Sequence, residues 1–323
     1  MKRRLLWVLL PVLIALLVLG ACAPLRKPSP QTGAPVIPKQ IARGGRQEPR
    51  LKIYMKDTKQ IKEMKLEDYV AGVVAAEMEP NWPLESLAAQ AILARTFTLQ
   101  KIAKEGGVPS RNADASTDIE EFQAYDPSRI NNTVKEAVRR TRGMVAASNG
   151  QFIRAWFHAN SGGKTTIAME GLGFDQEATP YVVSIDDPIS MQVAPPEQQT
   201  WTATFTKAEV SQAMQKVGQT VGDFQTVKIA EKGPSGRATK ISIGSAVVAG
   251  PAFRLALGST KLRSTLIDSI TVSGDKVMFK GKGYGHGVGM SQWGAKGRAD
   301  QGAKAEDIVK AYFKNVNIFK IWD

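Results

Sequence analysis

A carboxylate, Glu77, lies on the apolar stripe of a predicted helix, where an acidic residue is unusual. Leu66, Val70 and Val73 recur at helical spacing, and the same stripe reaches Glu77 at the end of the segment. A carboxyl group in apolar surroundings holds its proton to a higher pH, as general acid catalysis requires. The negative end of the helix dipole acts in the same direction. Glu77 is therefore a candidate general acid.

An arginine on the next predicted helix is the obvious partner for a buried Glu77. The apolar stripe of residues 83–104 passes through Arg95. Burying an ionised group costs several kcal/mol unless the group is paired, so we expect Arg95 to face Glu77 across the helix pair. The pattern leaves open a plain buried ion pair and a catalytic acid with a supporting arginine.

The two histidines of the chain, His158 and His286, each lie beside a glycine-rich turn. Residues 281–289 carry glycine at every other position, which predicts an extended strand with one bare face that a flat sugar ring could approach. A glycine-rich packing corner is the alternative. A lone histidine is most often structural, so structural roles for both also stay open.

Three known sequence motifs are approached in this chain, but each lacks a residue that it requires. Gly163-Lys164-Thr165 suggests a phosphate-binding loop, but His158 stands where that motif requires glycine. No register of residues 281–289 gives a dinucleotide fingerprint, and residues 289–293 lack the last glycine of a nucleophile elbow. A hydrolase built on Ser161 or Ser291 with a histidine remains an alternative, although no strand-turn-helix elbow frames either serine.

The elements that must position these residues change in character along the chain. Helices cluster early and strands late, which predicts an α+β fold. We expect a single catalytic domain over residues 51–323, in which the N-terminal helix pair and the β-rich remainder form a glycan-binding cleft. The predicted strands are 51–55, 151–158, 201–205, 239–243 and 269–279, and the predicted helices are 66–78, 83–104, 207–217 and 305–313.

The N-terminus has the layout of a secretory signal. Basic residues precede the apolar run 5–19, and the Leu-Gly-Ala-Cys that follows resembles a bacterial lipobox ending at Cys22. Residues 1–22 are thus either a signal whose cysteine is lipidated or an uncleaved membrane anchor. Both predict a domain held at the outer side of the cell membrane by a Pro-rich linker, residues 23–50.

The composition of the chain narrows its partners. The formal charge of +13 over 323 residues favours anionic surroundings, which could be nucleic acid, lipid headgroups or an acidic polymer. Export and the lack of any zinc-finger, basic-zipper or RNP-like motif argue against nucleic acid. Because Cys22 is the single cysteine, the sequence predicts no internal disulfide and no thiolate zinc site, and we expect neither a metal nor a cofactor.

Two segments around the helix charges resemble a known family. Residues 69–78, which end in Ala-Ala-Glu-Met, and residues 82–96, which end in Ala-Arg-Thr, are similar to the signature of the stage II sporulation protein D family. Residues 283–295 resemble the terminal motif of that family. The resemblance implies that Glu77 is the catalytic acid and that Arg95 is important for activity.

The family consists of peptidoglycan lytic transglycosylases of spore-forming bacteria and includes amidase-enhancer relatives. The resemblance implies cleavage between N-acetylmuramic acid and N-acetylglucosamine, with a 1,6-anhydro end as product. One carboxyl group suffices for this reaction because the attacking hydroxyl belongs to the substrate. It also implies peptide-stripped glycan strands as substrate and a sporulation amidase as partner during engulfment. A non-catalytic glycan-binding enhancer of an amidase is the alternative.

The resemblance further points to substrate-binding residues in and around these motifs. Some members of the family carry a zinc-site cysteine where this chain has Phe122, which speaks against that site here. Arg254 and Arg263 lie in a further similar run and could meet muramyl carboxylates or be surface charges. The expected substrate-binding residues are Arg95, His158, Ser161, Tyr284, His286, Ser291 and Gln292.

Overall fold

The structure, a computed structural model, describes residues 33–323. The predicted segment 1–22 with Cys22 lies outside these residues, as does the first part of the predicted linker. Among residues 33–323, none of the helices combines the length and apolar character that a membrane span requires.

The predicted α+β class is confirmed, because helices and small separate sheets both make up the described chain. Short 3-10 helices span Pro109–Arg111 and Pro127–Arg129. The α-helices are α1 (Leu66–Glu77), α2 (Leu84–Glu105), α3 (Asn132–Arg140), α4 (Ala168–Leu172), α5 (Pro188–Val193), α6 (Pro196–Gln199), α7 (Lys207–Lys216), α8 (Gly250–Leu257), α9 (Gln292–Asp300) and α10 (Ala305–Tyr312).

The strands form sheets of two or three members. Their orders are β2-β1-β3, β10-β9-β8, β11-β12-β7, β13-β6 and β14-β4-β5, with parallel pairing for β1 with β3 and for β6 with β13. The strands are β1 (Arg50–Met55), β2 (Gln60–Lys65), β3 (Ala115–Ser116), β4 (Met144–Ser148), β5 (Gln151–Phe152), β6 (Phe157–His158), β7 (Thr200–Thr206), β8 (Val227–Lys232), β9 (Ala238–Ile243), β10 (Ala246–Ala249), β11 (Ile267–Ser273), β12 (Lys276–Lys282), β13 (Met290–Ser291) and β14 (Asn317–Lys320).

The helix pair α1 and α2 forms the centre of the larger hydrophobic core. Leu66, Val70 and Val73 of α1 are fully buried, as the predicted stripe requires. The helix ends at Glu77 because Met78 turns to an extended conformation. Helix α2 ends at Gly106, whose φ of 75° is left-handed, as is common after a helix C-terminus.

The described chain contains two hydrophobic cores. One joins α1 and α2 to the C-terminal helix and strand, and the other lies wholly within residues 201–279. Ile41 is buried in the first core, and Arg46 pairs with Asp323, so the predicted linker includes a packed stretch near its end. The predicted domain 51–323 therefore holds two cores, and its outer boundaries stay a prediction.

Most predicted elements are confirmed to within a few residues, but two predicted strands are each divided. Residues 151–158 form β5 and β6, because β5 pairs with β4 while β6 pairs with β13. Residues 269–279 belong to the hairpin of β11 and β12, which reverses at Gly274 with a φ of 56°.

The prediction of an extended strand through the glycine run 281–289 is wrong beyond the end of β12. Gly283, Gly285, Gly287 and Gly289 all have positive φ, between 70° and 108°. A Cβ on Gly285 would press on His158, and one on Gly287 would overlap a guanidinium. The glycines thus let the backbone pack closely against its neighbours and do not present a bare face to a ligand.

Candidate active site

Glu77, the predicted acid, ends α1 beneath the loop that leads to Tyr125. Its side chain is partly exposed, and its Oε1 accepts a hydrogen bond of 3.1 Å from the amide of Ala124. The loop can approach because Gly72 of α1 has no Cβ where the ring of Tyr125 lies. The amide of Asp126 also donates to the carbonyl of Gly72 at 3.0 Å. The helix and the loop therefore hold the carboxyl group from two sides.

The environment of Glu77 favours its protonated form. Burial raises the pKa of the Glu77 carboxyl to about 7, against the opposing effects of the Ala124 amide and the Gln292 side chain. The Gln292 amide lies close enough to lower this pKa, yet its Nε2 forms no hydrogen bond of regular geometry with any protein group. A carboxyl group with a pKa near neutrality can both donate and take up a proton.

Four other acids near Glu77 in the sequence could supply a second carboxylate, but each has partners elsewhere. Glu79 pairs with Arg129 at 2.8 Å, and the exposed Glu79 side chain points to the surface. The remaining three are fixed by backbone amides or by cations of other elements, and none of them perturbs the pKa of Glu77. These contacts are Ala305 N with Glu85, Lys52 N with Asp114, and Lys56 with Asp118.

The predicted pairing of Arg95 with Glu77 is wrong. Arg95 donates from Nε and Nη2 to the two carboxylate oxygens of Glu67, at 3.1 and 2.5 Å, and from Nη1 to the carbonyl of Met144. The side chain is fully buried, so it lies in the core rather than at a surface where it could touch a glycan. Glu67 is the partner of Arg95 because its carboxylate is also held in place by hydrogen bonds from the amide of Gly143 and the indole of Trp322.

His158, on β6, and His286, in the glycine-rich loop that precedes β13, have ring centroids 5.6 Å apart. Nδ1 of His158 lies 3.1 Å from the Val288 carbonyl, which fixes this nitrogen as the donor, and Nδ1 of His286 accepts from the Val288 amide. Burial lowers the pKa of His286 to about 3 and holds that of His158 well below its usual value. Both rings are therefore neutral, and their contacts with Val288 support the structural alternative.

Ser161 and Ser291, two predicted substrate-binding residues, are fully buried. Ser161 donates to Asp187, whose pKa is raised by burial, while Ser291 caps α9 by accepting from the amide of Gly294. Neither hydroxyl forms a hydrogen bond with a histidine. Their burial places them in the framework behind α9, which speaks against a role as glycan ligand or nucleophile.

Tyr284 is partly exposed and lies near Arg254 and Arg263, the two arginines of the similar run. The guanidinium of Arg263 lies 5.1 Å from the Tyr284 ring centroid and donates to the carbonyl of Glu197. Arg254 is buried and donates to the carbonyls of Arg263 and Ser259, and burial lowers its pKa to about 10. Arg254 therefore braces the loop, and Tyr284 and Arg263 remain accessible.

Several residues of the site were not predicted. The amide of Ala124 carries no signal in the sequence because its role comes from the position of the loop. Trp82 and Trp293, whose ring centroids lie 4.5 Å apart, follow Glu77 and Gln292 closely in the chain. The short distance along the chain from each tryptophan to Glu77 or Gln292 is the feature of the sequence that could have predicted them. Within residues 33–323, no three His, Cys, Asp or Glu side chains come together as a metal site.

The fold and the site define an α+β protein with one acid of near-neutral pKa, held at a helix terminus without a second carboxylate partner in the described chain. Residues 54–147, which include Glu77, match the family model described as stage II sporulation protein. Residues 191–289, which contain the second core, match a domain of unknown function.

Curated relatives agree with this family model. The chain is 30% identical over 280 residues to stage II sporulation protein D of Bacillus subtilis, covering 82% of this chain and 78% of that protein. It is 33% identical over 260 residues to an uncharacterized protein of Brachyspira hyodysenteriae, covering 80% and 67%. It is 27% identical over 301 residues to the amidase enhancer of Bacillus subtilis, covering 76% and 40%. The chain belongs to the stage II sporulation protein D family.

Proposed function

We propose that this protein is a peptidoglycan lytic transglycosylase in which Glu77 is the only acid and base. The observation that carries the proposal is the state of Glu77. Glu77 is a partly exposed residue whose carboxyl group has a pKa raised to about 7 by burial, and no other carboxylate acts on it among the described residues. A two-carboxylate glycosidase would need a second acid some 5–10 Å away.

The proposed reaction needs one proton donor that later becomes the acceptor. The protonated Glu77 gives its proton to the glycosidic oxygen of N-acetylglucosamine as the bond to C1 of N-acetylmuramic acid breaks. The resulting carboxylate then removes the proton of the muramyl C6 hydroxyl, whose oxygen bonds to C1. The products are a free C4 hydroxyl and a 1,6-anhydro end, no water is consumed, and Glu77 returns to its protonated form.

The names of the relatives support a role in the cell wall during sporulation. We propose that the chain acts on septal peptidoglycan during engulfment, on strands from which an amidase has removed the stem peptides. We also propose that residues 1–22 hold it at the extracytoplasmic side of the membrane, through a lipidated Cys22 or an uncleaved anchor. The net charge of +13 favours an anionic wall.

A second function is favoured by the similarity to the amidase enhancer. In this function the chain binds the glycan and stimulates a partner amidase without cutting the strand. The two functions differ in whether a new end appears on purified glycan.

The test is mass spectrometry of products from peptide-free glycan strands incubated with the full chain. We expect 1,6-anhydro-muramyl ends from the wild type and none from Glu77→Gln, which keeps the shape of the side chain but cannot carry the proton. Glu79→Gln is the matched control, because Glu79 lies two residues away, is exposed and pairs with Arg129. It should cleave like the wild type.

The alternatives give other results. Anhydro ends from Glu77→Gln would overturn the role of Glu77, and ordinary reducing ends would identify a hydrolase. If the wild type leaves the strands intact but accelerates stem-peptide release by an added sporulation amidase, the enhancer function holds instead.

A further inference from the structure

The indole rings of Trp82 and Trp293 form a partly exposed aromatic pair, carried by the segments that follow Glu77 and Gln292 in the chain. Their centroids lie 4.5 Å apart, and the ring planes are inclined by 54°. Both side chains are partly exposed, whereas Trp201 and Trp322 are buried in the two cores. Because the rings are tilted rather than stacked, each covers only part of the other.

Both rings belong to the segments that hold the acid. Trp82 follows Glu77 by five residues, in a turn closed by its amide donating to the carbonyl of Glu79 at 2.9 Å. Trp293 directly follows Gln292, whose amide acts on Glu77. The aromatic pair is therefore carried by the same two segments that hold the proposed acid and its neighbour Gln292.

The supports of the two rings are rigid. The amide of Trp293 donates to the carbonyl of Ala159 at 3.0 Å, next to the parallel strands β6 and β13. The turn before Trp82 is held by Asn131, whose side chain donates to the carbonyl of Pro80 at 2.9 Å. A surface fixed before the ligand arrives loses little entropy on binding.

We propose that Trp82 and Trp293 form a sugar platform, a subsite that holds a neutral hexopyranose ring of the glycan by stacking next to Glu77. An indole offers a broad apolar face together with a polar N–H, which suits a pyranose ring with an apolar C–H face and hydroxyl groups at its edge. The platform rests on the proposed function, because it gives the substrate of that site a place to lie.

The sugar platform makes a distinctive prediction about binding. Stacking of a neutral ring is insensitive to salt, whereas contacts made through the basic charge of the chain weaken as salt screens them. Truncating either indole should therefore weaken binding of a neutral oligosaccharide to a similar degree at low and high salt.

The experiment measures binding of a tetrasaccharide of N-acetylglucosamine to the full chain carrying Glu77→Gln, so that no cleavage intervenes. We expect Trp82→Ala and Trp293→Ala each to raise the Kd about tenfold, and Trp82→Phe and Trp293→Phe to restore most of the affinity. Trp156→Phe is the control, because Trp156 is also partly exposed but packs edge-on against Phe174. It should bind like the parent.

Unchanged affinity in the folded alanine variants would overturn the platform. If those variants do not fold, tryptophan fluorescence of the phenylalanine variants decides: the ligand should alter the emission of the parent, and Trp293→Phe should abolish most of that change. An unaltered response would count against the platform. If the indoles prove necessary for binding while the wild type makes no anhydro ends, the platform stands and the transglycosylase proposal fails. If the tryptophan variants instead cleave normally with an unchanged KM, the transglycosylase proposal stands and the platform fails.

Discussion

Arg95 and Glu67 form a bidentate ion pair in the core, with Nε to Oε1 at 3.1 Å and Nη2 to Oε2 at 2.5 Å. Both side chains are buried, and Glu67 receives two further hydrogen bonds, from the amide of Gly143 and the indole of Trp322. One carboxylate thus joins the start of α1 to α2, to the segment before β4 and to the C-terminus. The role in activity that the family resemblance implies for Arg95 is therefore expected to act through the fold rather than through contact with a substrate.

We predict that Arg95→Met lowers the free energy of unfolding by about 3–5 kcal/mol, because Glu67 is left buried without a cation. Chemical denaturation measures the loss. Arg139→Met is the control, since Arg139 pairs with Glu136 on the exposed face of α3, and it should cost under about 1 kcal/mol. If Arg95→Met keeps its stability but no longer binds glycan, Arg95 contacts the substrate and its role is not structural.

The pH dependence of cleavage should follow the protonation of Glu77. The reaction begins with proton donation, so the active form is the protonated carboxyl, which is lost as pH rises through about 7. We predict a rate that falls on the alkaline side with a midpoint near pH 7, measured as kcat/KM on peptide-free strands. A midpoint near the ordinary glutamate value of 4–5 would contradict the raised pKa.

Replacing Gln292 should move this midpoint. The Gln292 side chain lowers the pKa of Glu77, so Gln292→Leu removes a stabilising partner of the carboxylate and shifts the alkaline limit to higher pH. Gln301→Leu, at the exposed C-terminal end of the same helix, is the control and should leave the profile unchanged. A shift to lower pH in Gln292→Leu would mean that the amide stabilises the protonated form.

How much of the site follows from the sequence depends on the range of the interactions. Glu77 could be predicted because its place on α1 is set by neighbours within a few turns, where helical periodicity is informative. The partner of Arg95 could not, because Glu67 is selected by Gly143 and Trp322, which are 76 and 255 residues away in the chain. Helix α1 carries three acids, Glu67, Asp68 and Glu77, and spacing alone favoured the wrong one as the partner of Arg95.

The glycine run shows the same limit. Alternating glycines fit the two-residue period of a strand, and β12 does extend to Lys282. Past that point the glycines lie in close contact with residues 156–162 and, at Gly287, with Arg237, which only the tertiary fold brings near. The predicted α+β class survived because it depends on the order of elements and not on any one contact.

Glu77 should also reduce stability at neutral and alkaline pH. Its pKa is raised in the folded state, so the folded protein binds more protons than the unfolded chain between about pH 4.5 and 7, and stability falls as pH rises through that window. We predict that Glu77→Gln is more stable than the wild type at pH 8, by up to about 3 kcal/mol, and that the gain vanishes at pH 4. Urea titrations at the two pH values measure it. Glu79→Gln should show no gain at pH 8, and an equal gain at both pH values in Glu77→Gln would rule out the linkage.

The close packing of the glycine run can be separated from backbone strain by comparing two glycines. Gly287 has a φ of 80°, and a Cβ there would overlap the buried guanidinium of Arg237, which donates to the carbonyls of Ser161 and Lys164. Gly302 has a similar φ of 91°, but a Cβ there would meet nothing within 4 Å.

Gly302→Ala should therefore show the cost of a left-handed alanine alone, about 1–2 kcal/mol. Gly287→Ala should lose clearly more, because the displaced Arg237 also gives up buried hydrogen bonds. Thermal and chemical unfolding of the two variants measure the difference. Equal losses of stability would mean that Arg237 can move aside freely. Glycine at position 287 would then be required only for its left-handed φ angle.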